Sequence, residues 1–374
     1  MSELAVVGGK KIAVLPPNGV IGIIGGGQLG RMIAIAAANL GFRTIVLEPM
    51  ADCPAAQVCN GHIIADYDDE TALGQLCEQC AVITYEFENV PLSAAEFVTE
   101  RAVLFPPSKA LAVSQDRLAE KQFLTDAGIP VADYVQIRDV GDLKEGLTSF
   151  GAGVLKTRRF GYDGKGQVVF KPQSPTDLES LESALAETGQ AGEHGWVLES
   201  LVNFSGEFSM IGVRDQQGQV RCYPAATNIH EDGILRRSSI PCDLLGEDQE
   251  AEAKAHVAAI LENLDYVGVI GVEFFKADQG IMVNEIAPRV HNTGHWTVEA
   301  CFVGQFEQHV RVISGLAAGD CRMKVASCQM ENLLGEEASD ISAYLQDPRV
   351  TVTLYGKLEA RAGRKMGHLT RLEP

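Results

Sequence analysis

Residues 269–289 read VIGVEFFKADQGIMVNEIAPR, two apolar runs on either side of Asp278-Gln279-Gly280, with Glu273 in the first run and Glu285 in the second. Apolar and β-branched residues flanking a short glycine-bearing turn make this a β-hairpin. A turn of Asp278, Gln279 and left-handed Gly280 sets Ala277 opposite Ile281, and therefore Glu273 opposite Glu285. Directly opposed residues have Cβ atoms ~4.5–5.5 Å apart, and like charges there are destabilising without a counter-ion. A divalent cation resolves that conflict, and hard oxygen donors favour magnesium bridging nucleotide phosphates. The plainer alternative is a solvated acidic hairpin. Strict alternation turns Asn284 to the other face, so it joins the pair only if the strand bulges there.

Upstream, Lys156 precedes the loop Phe160-Gly161-Tyr162-Asp163-Gly164-Lys165-Gly166, between strands expected at 154–156 and 167–170. Backbone N–H groups of such a loop can fold over phosphates while the lysine supplies fixed positive charge. The spacing of a Walker loop is absent, and alone the segment would pass for a hairpin turn. Downstream, residues 287–296 form a polar, cationic run suited to setting an anion and a second substrate against the metal. Lone histidines are more often packing or capping residues, and His295 within it is assigned no role.

The first third alternates strands and helices: strands at 20–24, 44–47 and 81–85, a helix over 28–40, and the acidic segment 85–91. That order is the signature of a parallel α/β sheet. A charged amphipathic helix is expected over 114–127, stopped by Gly128 and Pro130. From about residue 131 the texture changes to shorter strands, at 196–199, 208–213, 220–224, 269–276 and 281–284. Gly25-x-Gly27-x-x-Gly30, with Glu48 closing the next strand, is by rule a dinucleotide fingerprint. Glycines there equally admit any phosphate or polar group to the helix N-terminus, so the motif alone does not establish a nicotinamide cofactor.

A chain of 374 residues suggests two or three domains. With 46% hydrophobic residues it has material for buried cores and no compositional case for disorder. The longest apolar run, 32–38, falls far short of the ~20 residues of a membrane-spanning helix. No signal peptide is read at the N-terminus. The nine cysteines are scattered, which favours reduced thiols and a cytoplasmic setting; Cys77-x-x-Cys80 has no second pair and reads as packed thiols. A net charge of −19 disfavours nucleic acid and anionic membranes, leaving small molecules as partners. An anionic substrate then needs a local basic cluster. Residues 351–374 supply one, with Lys357, Arg361, Arg364, Lys365 and Arg371 against Glu359 and Glu373.

Together these features resemble the ATP-grasp superfamily and, within it, the 5-(carboxyamino)imidazole ribonucleotide synthetase family of purine biosynthesis. The matching stretches are 25–32 (GGGQLGRM), 84–90 (TYEFENV), 161–166 (GYDGKG), 284–289 (NEIAPR), and Gly356-Lys357 with 363–368 (GRKMGH). The likeness runs from about residue 18 to the end; residues before it look like an extension, and Val290 stands where the family has proline. It implies an α/β ATP-grasp enzyme with three parts: an N-terminal parallel Rossmann-like domain (1–113), an ATP-grasp region (114–316, lid about 131–203) and a small C-terminal β-rich domain (317–374). It further implies a ligase that is a homodimer and uses ATP and magnesium.

Carried over by resemblance, Arg117 and Lys156 would contact ATP phosphates, and Phe160 to Gly166 would form the lid. Glu199, Ser200, Leu201 and Val202 would offer the backbone hinge for adenine. Glu207 would hold the ribose, with His230 close to the nucleotide. Glu273 and Glu285 would bind magnesium beside Asn284. Aminoimidazole ribonucleotide would meet Gln28, Leu29, Glu86, Tyr162, Asp163, Lys165, Arg289, His291 and Asn292, with Lys357 and Arg364 on its phosphate. Lys156, Tyr162, Asp163, Arg289 and His291 would carry the chemistry: ATP phosphorylates bicarbonate, and the carboxyphosphate so formed carboxylates the substrate amine. Three other readings compete. A related ATP-grasp formyltransferase is expected to carry glutamate at the position of Gln28; a nicotinamide dehydrogenase leaves the opposed acids and basic tail unexplained; a non-catalytic regulator has no use for retained metal acids.

Overall fold

The computed structural model describes residues 12–159, 161, 166–171, 173–174, 176–187 and 194–373. The chain opens as the sequence predicts, with β1 (Val20–Ile24), α1 (Gln28–Asn39) and β2 (Arg43–Leu47); β3 (Gly61–Ile63) and α2 (Glu70–Gln79), not expected, then precede β4 (Val82–Tyr85), which falls where predicted. The strands form a parallel sheet in the order β3-β2-β1-β4, so the chain reverses direction of growth at β1. Ile21, Ile23 and Ile24 of β1 are fully buried, as a central strand covered on both faces requires. In α1 the residues Met32, Ile33, Ala36 and Ala37 recur at helical spacing and bury one stripe.

α3 (Leu92–Arg101), α4 (Ser108–Ser114) and α5 (Arg117–Asp126) follow. The charged helix expected over 114–127 is α5, which starts at Arg117 because the Asp116 side chain accepts the Leu118 N–H and caps it there; the short α4 before it was not expected. Next comes a four-stranded antiparallel sheet in the order β5-β8-β6-β7. Its elements in chain order are β5 (Tyr134–Ile137), α6 (Val140–Phe150), β6 (Gly153–Thr157), β7 (Gln167–Phe170), α7 (Leu178–Glu187) and β8 (Trp196–Ser200). It has its own small core, in which Leu143, Leu147 and Leu181 of the helices meet Leu155 and Leu198 of the strands.

The remainder is β9 (Phe204–Arg214), β10 (Val220–Cys222), β11 (Ala226–Glu231), β12 (Ile234–Ile240), α8 (Glu247–Asn263), β13 (Gly268–Ala277), β14 (Gly280–Ala287), α9 (Thr297–Ala300), α10 (Gln305–Ile313), β15 (Ser327–Leu334), β16 (Val350–Leu354) and β17 (Lys365–Glu373). These strands make one sheet, ordered β14-β13-β9-β11-β12-β15-β17-β16 with β10 on β9. The C-terminal strands thus extend the sheet that carries the acidic hairpin. No described helix is long and apolar enough to cross a membrane.

α10 locks the first sheet to the large one. Phe306, Val310 and Ile313 share a core with the α1 stripe. Fully buried His309 accepts the Val269 N–H at Nδ1 (3.2 Å), which leaves the proton on Nε2 to be donated to Thr84 Oγ1 (2.8 Å). Burial pushes its pKa down to about 3, and that of buried His368 likewise to about 3. An unfolded histidine titrates near ~6.5, so between that pH and about 3 the unfolded chain binds protons that the folded chain refuses. Stability is accordingly expected to fall on acidification through this window, by up to ~1.4 kcal/mol per pH unit for each histidine. Urea unfolding between pH 4 and 7 should show a shallower pH slope for His309→Gln than for the unchanged protein; equal slopes would refute the assignment.

Candidate active site

At the C-terminal edge of the parallel sheet the glycine loop wraps around two carboxylates of the chain itself. Glu86, just past β4, accepts the Gly27 N–H with one oxygen and the Gly30 N–H with the other (2.7 Å). Gly25 has φ +102°, and a Cβ there would lie 2.5 Å from Glu86 Cγ, so the close approach needs glycine. Glu48, past β2, accepts from Gly26 N–H (2.8 Å) and Tyr67 Oη–H (2.5 Å). The helix N-terminus that would cradle a dinucleotide pyrophosphate is therefore filled by Glu86, and the acid that would hold its ribose is turned inward. This disposes of the nicotinamide reading of the fingerprint. Burial raises the Glu86 pKa, with the glycine N–H groups pulling against it. Gln28 and Leu29, on the first turn of α1, line the same cavity as Glu86.

That cavity has a volume of about 1190 Å³ and runs from the four-stranded sheet to the C-terminal strands. At its centre Glu273 of β13 lies directly opposite Glu285 of β14. The route to this pairing differs from the expected one. Ala277 pairs with Gly280 and Phe274 with Val283, a two-residue loop, and a register shift between Glu273 and Phe274 then leaves Asn284 as the extra residue. The bulge that Asn284 required is present, and it restores Glu273 opposite Glu285. Burial, and then the charge of Glu285, push the Glu273 carboxyl up to about 7. Two carboxylates held this close would suit a hard divalent ion, with phosphate oxygens and water as its further ligands.

Around the pair, Arg117 Nη1 lies 3.6 Å from Glu285, and Arg117 Nη2 donates to the Gly161 carbonyl (3.3 Å). Lys156 on β6 is 2.9 Å from Glu199 Oε2, and Lys121 on α5 is 3.4 Å from the same oxygen. Burial opposes the charge on Glu199, yet Lys156 and Lys121 outweigh it and hold the carboxyl at about 2. Burial in turn lowers the Lys156 pKa, against the pull of Glu199. His230 Nδ1 meets Glu207 Oε2 at 2.8 Å; burial opposes its charge, but the Glu207 bond wins and raises its pKa. Of the expected hinge, Ser200 N–H is bonded to Asp133 O and Leu201 N–H to Ala152 O, while the Glu199 side chain serves the two lysines. Phe160, Tyr162, Asp163, Gly164 and Lys165 lie outside the described residues. Gly166 (φ +74°) closes the loop, its carbonyl accepting the Thr157 N–H.

The far end of the cavity is basic. Arg289 is paired with Glu88, whose carboxyl is held at about 2 because the guanidinium outweighs the cost of burial. His291 sits 3.8 Å from Glu273, and burial holds it neutral. Asn292 exchanges two hydrogen bonds with the Asn332 carboxamide on β15 (2.8 and 2.9 Å). Val290 is fully buried, and the loop after it is fixed by Gln305, which accepts from His291 N–H and donates to its carbonyl. Lys357, Arg361, Arg364 and Lys365 all reach the wall. Arg371, grouped with them in the sequence, is elsewhere, 3.3 Å from Asp347, because six further residues of β17 carry it away from the cleft.

Several cavity residues escaped sequence reasoning. Phe204 and Phe275 stack at 4.6 Å and, with Val154 and Val169, form an apolar wall beside Glu207. Glu120, which lines the cavity, and its neighbour Lys121 behind the wall are buried on α5 next to Leu124. Charged residues on the helix stripe that also carries the buried leucine are the signal that would have found them.

The chain matches the ribonucleotide synthetase preATP-grasp domain over residues 19–115, the ATP-grasp domain over 122–306, and the phosphoribosylaminoimidazole carboxylase C-terminal domain over 328–374. It is 48% identical over 362 residues to an N5-carboxyaminoimidazole ribonucleotide synthase of Brucella melitensis, spanning 96% of this chain and 98% of that one. The chain belongs to the N5-carboxyaminoimidazole ribonucleotide synthase family. The synthase of Pseudomonas aeruginosa is 40% identical over 94% of this chain and 93% of its own length. Among solved structures of the synthases, an ADP complex superposes with TM-score 0.89 at 38% identity, covering 96% of this chain and 94% of that one. The synthase of Aspergillus clavatus in complex with ADP and 5-aminoimidazole ribonucleotide gives TM-score 0.87 at 27% identity, covering 96% and 94%.

Proposed function

We propose that this cleft carries out the ATP-dependent carboxylation of 5-aminoimidazole ribonucleotide by bicarbonate, giving N5-carboxyaminoimidazole ribonucleotide, ADP and phosphate. The observation that carries the reading is one cavity holding the opposed carboxylates Glu273 and Glu285 with Lys156 on one side and Lys357 and Arg364 on the other. Nucleotide phosphates belong with Arg117 and Lys156, the ribose with Glu207 and His230, and adenine with the apolar wall of Val154, Val169, Phe204 and Phe275, where Val154 pairs with Glu199 of the hinge Glu199–Val202. Glu273 and Glu285, with Asn284, would hold magnesium, which neutralises charge on the transferring phosphoryl group. The same reading gives residues 160–166 the role of lid.

Gln28, Leu29, Glu86, Arg289, His291 and Asn292, with Tyr162, Asp163 and Lys165 of the loop, would enclose the aminoimidazole ribonucleotide, and Lys357 and Arg364 would take its phosphate. Bicarbonate oxygen attacks the γ-phosphorus and ADP leaves; the carboxyphosphate then releases carbon dioxide beside the substrate amine, phosphate departs, and the amine attacks carbon. Neutral His291 has a nitrogen lone pair for the proton that the amine loses. The same reading includes a cytoplasmic homodimer divided at 1–113, 114–316 and 317–374.

ADP formation with ATP, magnesium and bicarbonate should be strongly stimulated by aminoimidazole ribonucleotide, with matched loss of that substrate. No stimulation, with turnover on glycinamide ribonucleotide and formate instead, would keep the fold and replace the substrate.

A further inference from the structure

β14 is an edge strand of the large sheet, so its outward N–H and C=O groups would be open but for α5, which lies against it. Lys121 Nζ donates to the Asn284 carbonyl at 2.9 Å, and Glu120 Oε1 accepts the Ile286 N–H at 2.6 Å. These are consecutive residues on α5, only 1% and 2% exposed, and they grip the backbone immediately before and immediately after Glu285. The Glu285 side chain, 42% exposed, is left facing the cleft. One residue earlier, the Val283 N–H is held by the Pro130 carbonyl (2.8 Å). Three successive anchors thus span the register shift at Asn284, where a strand loses its ladder bonds and has least reason to keep one conformation. Without the bulge, alternation would carry Glu285 to the other face. Lys121 also reaches Glu199, the partner of Lys156, so the grip ties the metal strand to the lysine of the four-stranded sheet.

We propose that Glu120 and Lys121 are positioning residues: they clamp the backbone on both sides of Glu285 and so hold its carboxylate against Glu273 in the geometry that takes a divalent cation. This rests on the reading of Glu273 and Glu285 as the metal pair. Glu120→Met removes the acceptor at constant bulk, Glu120→Gln keeps a carbonyl oxygen for the Ile286 N–H, and Lys121→Met removes the donor to Asn284.

The test is calorimetric titration of the full chain with ADP, with and without magnesium, beside thermal unfolding of each variant free of nucleotide. In the unchanged protein magnesium should tighten ADP binding. Glu120→Met and Lys121→Met should each lose about 10–100-fold of that tightening, the range for residues supporting a metal ligand, with ADP binding in chelator little altered. Glu120→Gln should retain most of it. Folded Met variants with magnesium tightening intact would overturn the clamp, as would equal loss in Glu120→Gln and Glu120→Met, which would make charge rather than the N–H acceptor the cause. If Glu120→Met does not fold, Lys121→Met decides. An unchanged protein that shows no magnesium tightening would overturn the metal pair and the clamp with it, whereas failure to consume aminoimidazole ribonucleotide would leave the clamp standing.

Discussion

Glu285→Gln should lower kcat/KM for ATP-driven carboxylation by on the order of 10³-fold, because glutamine keeps the shape but removes a full charge from the site that neutralises phosphoryl transfer. The same substitution should stabilise the folded protein. Glu273 and Glu285 face one another across the ladder, and burial together with that repulsion pushes Glu273 up to about 7. Relieving a like-charge cross-strand pair is worth up to ~1 kcal/mol, read as a rise in urea midpoint in chelator. Opposite signs for activity and stability are the mark of a pair kept for its ligand. A merely structural glutamate would lose both together, and activity within tenfold of the parent would remove the pair from the mechanism.

The second large effect is expected at the other end. Lys357→Ala with Arg364→Ala should raise KM for the ribonucleotide by about 10²-fold or more, since charge-assisted contacts to a phosphate are the strong ones. KM for ATP should change little. Both side chains reach the cavity wall, where Lys357 donates to the Lys365 carbonyl (2.6 Å) and Arg364 to the Glu359 carbonyl (2.9 Å), contacts that fix them in place. Steady-state kinetics varied in each substrate separate the outcomes. A shift in KM for ATP alone would mean that the basic end holds the nucleotide.

Much of this was legible in the sequence because it rests on local rules. β1 and β7 fall where their apolar runs place them, and α1 begins at Gln28 as expected. The pairing of Glu273 with Glu285 was also legible, although the turn that was meant to produce it is not the one found. The compensating bulge is held by α5, more than a hundred residues upstream, and no periodicity within the hairpin reports it. The glycine fingerprint misled for a related reason. Glycines specify a close approach to a helix N-terminus but not what approaches, and here it is Glu86 from another strand. Asp116 starting a new helix is a local signal that was readable.

The continuity of the large sheet bears on how such a chain can be inherited. The ATP-grasp match stops at residue 306 and the C-terminal match starts at 328, which invites treating the tail as an exchangeable cassette. Yet β12 and β15 share a ladder, with Arg237 across from Glu331 and Ser239 across from Gln329, and Asn332 on β15 secures Asn292 in the wall of the cleft. A recombination breakpoint in that interval would cut through one sheet, and an incoming tail would have to match both the strand it joins and the loop it supports. Cleft and tail are therefore expected to descend together, as a single heritable unit.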